Sequence, residues 1–203
     1  MTNKQKDLQE LPRELFQKLV DGLNGGEFEK TLEKSSALLE TFPKSSLIYM
    51  VIGNANIKLH QLDDAIIALQ KSININPKNP ATYINLGLAI EENGDRKEAI
   101  KCYVNAIRLD PKNLDAHFNL AVANHNAGDL ALAIEYYQKV ITLQPNHALA
   151  HNNLGFILEN SGNFAKAIAH YQKAIKIDST CFDAHNNLGN ALHKKGQLQA
   201  AIN

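Results

Sequence analysis

His117, His151 and His185 recur every 34 residues, and imidazole is the commonest protein ligand for a transition metal. A zinc ion would need their nitrogens about 2.0–2.1 Å away, whereas equivalent residues on successive packed helices lie about 8–10 Å apart. The three cannot share one ion, and a structural place between helices is expected for them. Cys102 and Cys181 stand far apart in sequence and suggest neither a disulfide framework nor a metal pair, only two reduced structural thiols. No Ser or Cys nucleophile sits in a recognised motif, and no glycine-rich loop is built to cradle phosphate. Glu91, Glu92 and Glu159 are interleaved with Lys and Asn on faces expected to be solvated, where nothing tunes a carboxyl for acid–base work. Catalysis is not expected, and no metal or cofactor is implied.

A different chemistry is suggested by Asn85, Asn119, Asn153 and Asn187, again one per 34 residues. Asn is about half a kcal/mol worse than Ala inside a helix, so four placements on one face call for a reason. A carboxamide carries both an acceptor oxygen and a donor NH₂ and can pair with both halves of a peptide unit. A row of them suits an extended backbone of any sequence.

The elements that must position these residues follow from five further series. Gly53, Gly87, Gly155 and Gly189 share one 34-residue grid, with Ala121 in the missing step. Ala65, Ala99, Ala133, Ala167 and Ala201 form a second, and Pro43, Pro77, Pro111 and Pro145 a third, continued by Ser179. Leu86, Leu120, Leu154 and Leu188 precede the first grid; Tyr103, Tyr137 and Tyr171 follow the second by four residues. Between them, Ile84, Leu86, Leu88 and Ile90 lie at helical spacing, and Gly94 is suited to close that helix in the left-handed conformation. Asp95 can cap the next helix, with Glu98 in a capping-box-like place, and Pro111 stops it. Small residues at 87, 99 and 106 let the two helices approach, while Leu86 and Tyr103 fill the space between them. Each unit buries its apolar face only against neighbours.

This pattern resembles the tetratricopeptide repeat, which implies an all-α, right-handed superhelical solenoid of stacked helix-turn-helix units. The units read as 12–45, 46–79, 80–113, 114–147 and 148–181, with a partial sixth at 182–203, after a polar leader at 1–11. The first is degenerate, with Leu19 in place of the small residue and Thr31 in place of Ala. The chain stops just as the sixth unit's second helix should begin, without a capping helix, which implies a piece of a longer protein.

By the same resemblance, a stripe on each first helix lines the concave groove of the superhelix. In the third unit it holds Ala81, Asn85, Leu88 and Glu92; in the fifth, Leu149, Asn153, Phe156 and Asn160. The expected peptide-binding groove is therefore Asn54, Asn85, Leu88, Asn119, Val122, Asn153, Phe156, Asn187 and Asn190, with His125 and His193 on the same side and Val51 interrupting the amides. Four amides making two bonds each contribute about 4–12 kcal/mol, against an association cost on the order of 4–15. Apolar pockets or tethering must supply the rest. Repeats that capture chaperone C-terminal carboxylates have Asn at the places of Asn54 and Asn85 but need Lys, Lys and Arg where this chain has Met50, Asp115 and Asn119, so that clamp is not expected.

The blocks Ala-His-Asn-Asn-Leu-Gly (150–155 and 184–189) and Lys-Lys-Gly-Gln-Leu-Gln-Ala-Ala-Ile (194–202) are similar to the repeats of O-linked N-acetylglucosamine transferases and of bacterial repeat-linked sulfotransferases. That likeness implies a substrate-selecting arm, with an asparagine ladder at Asn85, Asn119, Asn153 and Asn187. The alternative is a purely structural or self-associating adaptor working through its convex face, as a homo-oligomer.

Of the 203 residues, 44% are hydrophobic, and 21 Lys and Arg balance 21 Asp and Glu. A neutral chain without a basic block offers little to a phosphate backbone or an anionic membrane, so neither nucleic acid nor membrane is an expected partner. RNA-reading helical arrays run at 35 residues and are basic; this one keeps 34 and is neutral. With no apolar leader or spanning run, a cytoplasmic address is the default.

Overall fold

The computed structural model describes residues 11–202, so all of the expected leader but Leu11 lies outside the described residues. Eleven helices and no strands occupy them. The first compact unit, ending at Pro111, contains α1 (Arg13–Asn24), α2 (Phe28–Thr41), α3 (Ser46–Lys58), α4 (Leu62–Ile75), α5 (Pro80–Glu92) and α6 (Arg96–Leu109). The second, starting at Lys112, contains α7 (Leu114–Ala127), α8 (Leu130–Leu143), α9 (Ala148–Asn160), α10 (Phe164–Ile177) and α11 (Phe182–Ile202). None of these helices is long and apolar enough to cross a membrane.

Helix starts follow the capping residues. Asp95 Oδ1 accepts the Glu98 N–H at 3.1 Å, and Asn113 and Asp129 cap α7 and α8 in the same way. The return arm of a capping box is not made at α6: the Asp95 N–H donates to the Ile90 carbonyl at 3.1 Å, and the Glu98 carboxylate takes the Lys101 ammonium at 2.6 Å. Gly94, Gly128 and Gly162 close the first helices with φ of 99°, 84° and 76°. His60 fills the equivalent slot at φ 55°, a left-handed conformation that costs a side-chain-bearing residue about 1–2 kcal/mol.

The small-residue grids mark where paired helices touch. An added Cβ on Gly87 would stand 2.5 Å from Tyr103 Cε1, and one on Gly155 2.8 Å from Tyr171 Cε1. Ala65, Ala99, Ala133 and Ala167 are completely buried, as are Tyr103, Tyr137 and Tyr171. In the first pair the close approach moves one turn along: Leu19 fills its slot, buried, and Gly22 instead faces Thr31.

α11 runs unbroken through Gly196 to Ile202, over the place where the sixth unit's second helix was expected to begin. Gly196 permits a turn without enforcing one, and continuing the helix keeps the backbone groups on either side hydrogen-bonded.

Candidate functional site

The first compact unit brings three of the expected residues to one place. Asn54 on α3 and Asn85 and Leu88 on α5 line a pocket of about 270 Å³ together with Leu23, Asn24, Phe28, Ile57 and Lys58. Asn85 is half-buried and Leu88 is 39% exposed. Asn54 Oδ1 is shut off from solvent and accepts no hydrogen bond. Val51, the interruption in the amide series, is core, packed with Leu19, Phe42 and Ile48.

In the second unit the equivalent amides differ from one another. Asn119 is half-buried on α7, beside Phe118 and Val122, which pack against the core. Asn153 on α9 donates through Nδ2 to Tyr137 Oη at 3.2 Å and accepts from Asn152 Nδ2 at 3.2 Å. Asn187 on α11 donates to Asn152 Oδ1 at 3.1 Å. A carboxamide has two N–H groups and two lone pairs, so Asn153 keeps one of each. Phe156 is 40% exposed, with the His125 ring 5.8 Å from it, centroid to centroid. Asn190 is exposed on α11. Asn152 is the member of this set that the asparagine series left out, and the doubled Asn of 152–153 was the available signal; Tyr137 was expected as a filler between helices and not as the partner of an amide.

A family model described as the cytochrome c-type biogenesis protein H TPR domain matches residues 7–151, and models of the TPR repeat and the tetratricopeptide repeat match residues 160–196 and 136–169. The chain belongs to the tetratricopeptide-repeat family. Among solved structures, a MamA protein is 30% identical, with a TM-score of 0.69 over 77% of this chain and 86% of its own. A second MamA structure is 23% identical, with a TM-score of 0.72 over 78% and 93%. YrrB, described as a TPR protein with an unusual peptide-binding site, is 23% identical, with a TM-score of 0.69 over 96% and 94%. No curated protein matches the chain.

In these tetratricopeptide-repeat units the histidine series serves the turns. His151 Nε2–H donates to the Pro145 carbonyl at 3.1 Å, and His185 Nε2–H to the Ser179 carbonyl at 3.1 Å. His117 is buried beside Tyr136. With Nε2 protonated, neutral His151 presents a lone pair at Nδ1, which accepts from His170 Nδ1–H at 3.0 Å. Among the described residues no group of three His, Cys, Asp or Glu could hold a metal ion. Cys102 and Cys181 are buried and unbridged, and burial pushes the Cys102 thiol up to about 11.

His147 adds a titratable cap. Its Nδ1 accepts the Ala150 N–H at 3.1 Å, the place that Asn113 fills for α7 and Asn79 for α5. Burial lowers the pKa values of His147, His151 and His170 below 6.5, and the Lys173 charge and the neighbouring His147 add to this at His151. Asp115 pulls His147 the other way, by less. The fold therefore prefers these rings neutral, whereas the unfolded chain takes up protons near 6.5. Their contribution to stability is complete above that pH and is lost as the pH falls through it toward the lower folded values. Thermal melts should show the midpoint dropping between about pH 7.5 and 5.5. His147→Asn keeps the cap without the titration and should shrink the drop. Full acid sensitivity in that variant would remove His147 from the explanation.

Proposed function

We propose that the chain is a protein-binding scaffold that holds an extended peptide segment along the first helices of its repeats, through carboxamides flanked by apolar side chains. The observation that carries this reading is the state of Asn85 and Asn119. Both are half-buried, neither makes a hydrogen bond to another described residue, and both stand beside apolar side chains, Leu88 and Val122. A partly desolvated amide without a partner is costly unless something supplies one. Asn54, Asn153, Phe156, Asn187 and Asn190 complete the proposed groove, with Asn153 offering half of its capacity. The YrrB likeness lends support from a protein described as having a peptide-binding site. The repeat boundaries given above, from 12–45 to the partial 182–203, are the proposed frame for this groove.

The test is binding of a randomised library of fluorescent extended peptides. Asn85→Ala combined with Asn119→Ala removes up to four bonds, and binding should weaken about tenfold or more, with an unchanged helical circular-dichroism signal. Unaltered affinity in the double variant would end the groove reading.

A wider form of the proposal, an arm selecting protein substrates for a transferase such as a glycosyltransferase or sulfotransferase, rests on the sequence of the blocks 150–155, 184–189 and 194–202. A cytoplasmic setting, in keeping with two reduced thiols, belongs to the same proposal and is checked by cell fractionation. Self-association is the second reading, favoured by Ile67 and Val104, which are 54% and 47% exposed on α4 and α6. Sedimentation equilibrium of Ile67→Lys against the parent chain separates it, since a monomeric parent leaves that face without a role.

A further inference from the structure

The pocket between α1, α2, α3 and α5 has a composition more specific than a groove that merely lies along a backbone. Leu23, Phe28, Ile57 and Leu88 give it apolar walls from four helices, while Asn24, Asn54 and Asn85 supply amides. Its volume of about 270 Å³ falls below the roughly 300–1,000 Å³ of small-molecule and cofactor sites. It has room for an inserted side chain with part of its flanking backbone. Lys58 is the only cation in the lining; it lies one helical turn beyond Asn54, exposed, and pairs with no described carboxylate.

Building on the proposed groove, we infer that this pocket selects a leucine-sized aliphatic side chain of an extended partner polypeptide, with an acidic residue beside it held by Lys58. Apolar walls favour an aliphatic group and reject a charged one, because burying an unpaired charge is far costlier than burying a polar group. Asn54 Oδ1, enclosed and without a donor, is an acceptor waiting for an N–H. The last torsion of an Asn side chain is soft, so the carboxamide turns to meet the guest's backbone N–H as the side chain enters. Asn85, in the same lining and itself unbonded, takes a neighbouring peptide group. A single ammonium fits one flanking carboxylate; a terminal carboxylate clamp or a phosphate-rich ligand would call for more than one cation among the lining residues.

The experiment titrates the ¹⁵N-labelled full chain with three blocked peptides: Ser-Gly-Ala-Leu-Asp-Ala-Gly-Ser, the same peptide with Lys for Leu, and the same with Lys for Asp. The first should shift the side-chain amide signals of Asn54 and Asn85. Lys for Leu should weaken binding about tenfold or more, and Lys for Asp about threefold. Lys58→Glu, a change at an exposed site, should reverse the preference between Asp and Lys. Equal binding of the Leu and Lys peptides, or shifts that leave Asn54 and Asn85 unmoved, would overturn the pocket. If all three peptides move Asn85 and Asn119 equally, the pocket falls while the amide groove stands; if none moves any signal, both fall.

Discussion

Tyr171→Ala should lower the unfolding free energy by about 3–5 kcal/mol, the cost of deleting a fully enclosed aromatic ring. In a chain of this length that corresponds to a fall in melting temperature of about 6–20 °C. The ring is completely buried, lies against Gly155, and is surrounded by Ala167, Ile168 and Ala191. Its hydroxyl donates to Glu159 Oε2 at 2.8 Å, and Glu159 Oε1 takes the Lys194 ammonium at 2.8 Å. Burial and that carboxylate push the phenol well above its ordinary range, so it stays a donor at any working pH. Tyr171→Phe keeps the ring and leaves a buried carboxylate with Lys194 alone, which should cost about 1.5–3 kcal/mol. Urea denaturation of both variants separates the two contributions. A phenylalanine variant as damaged as the alanine one would show that the ring's packing counts for little.

Gly87→Val should be comparably harmful, at about 3 kcal/mol. A Cβ there lies 2.5, 2.9 and 3.0 Å from three atoms of the Tyr103 ring. That ring is wholly enclosed, and its hydroxyl donates to Glu91 Oε2 at 3.0 Å. Ala121 holds the equivalent place beside buried Tyr137 in the second compact unit, so a single methyl is accommodated by modest adjustment and the larger residue is the sharper test. Gly189, at the same grid position in α11, meets nothing within 4 Å. Gly189→Ala should therefore stabilise by up to about 1 kcal/mol through helix propensity. Opposite signs at two sequence-equivalent glycines are the expected result, and a neutral Gly87→Val would refute the close approach.

The helices, their caps and their contact points were legible because each repeat writes them locally: a small residue, an aromatic sixteen positions on, a capping Asp or Asn. What the period concealed depends on which neighbours meet. Tyr103 and Tyr171 each find a glutamate on the first helix of their own pair, Glu91 and Glu159. At the equivalent place Tyr137 meets His125 edge-on, and its hydroxyl accepts from Asn153 instead. One residue change thus draws a candidate amide, Asn153, into the scaffold, although the asparagine series runs on through it. The left-handed His60 and the contact shifted to Gly22 escaped for a related reason. Both are places where the period continues in the backbone while the residue types do not. The candidate amides were likewise legible in position, and their hydrogen-bonding state was not.

The row Asn187, Asn152, Asn153 and Tyr137 also has a sense of direction. Each amide gives its NH₂ to the oxygen of the next, so turning Asn152 alone would set oxygen against oxygen toward Asn153 and NH₂ against NH₂ toward Asn187, and turning either neighbour alone would lose its bond to Asn152. The three carboxamides therefore keep or lose their orientation together. The unused N–H and lone pair of Asn153 are aimed by its neighbours, so a guest in the proposed groove would meet a fixed polarity there.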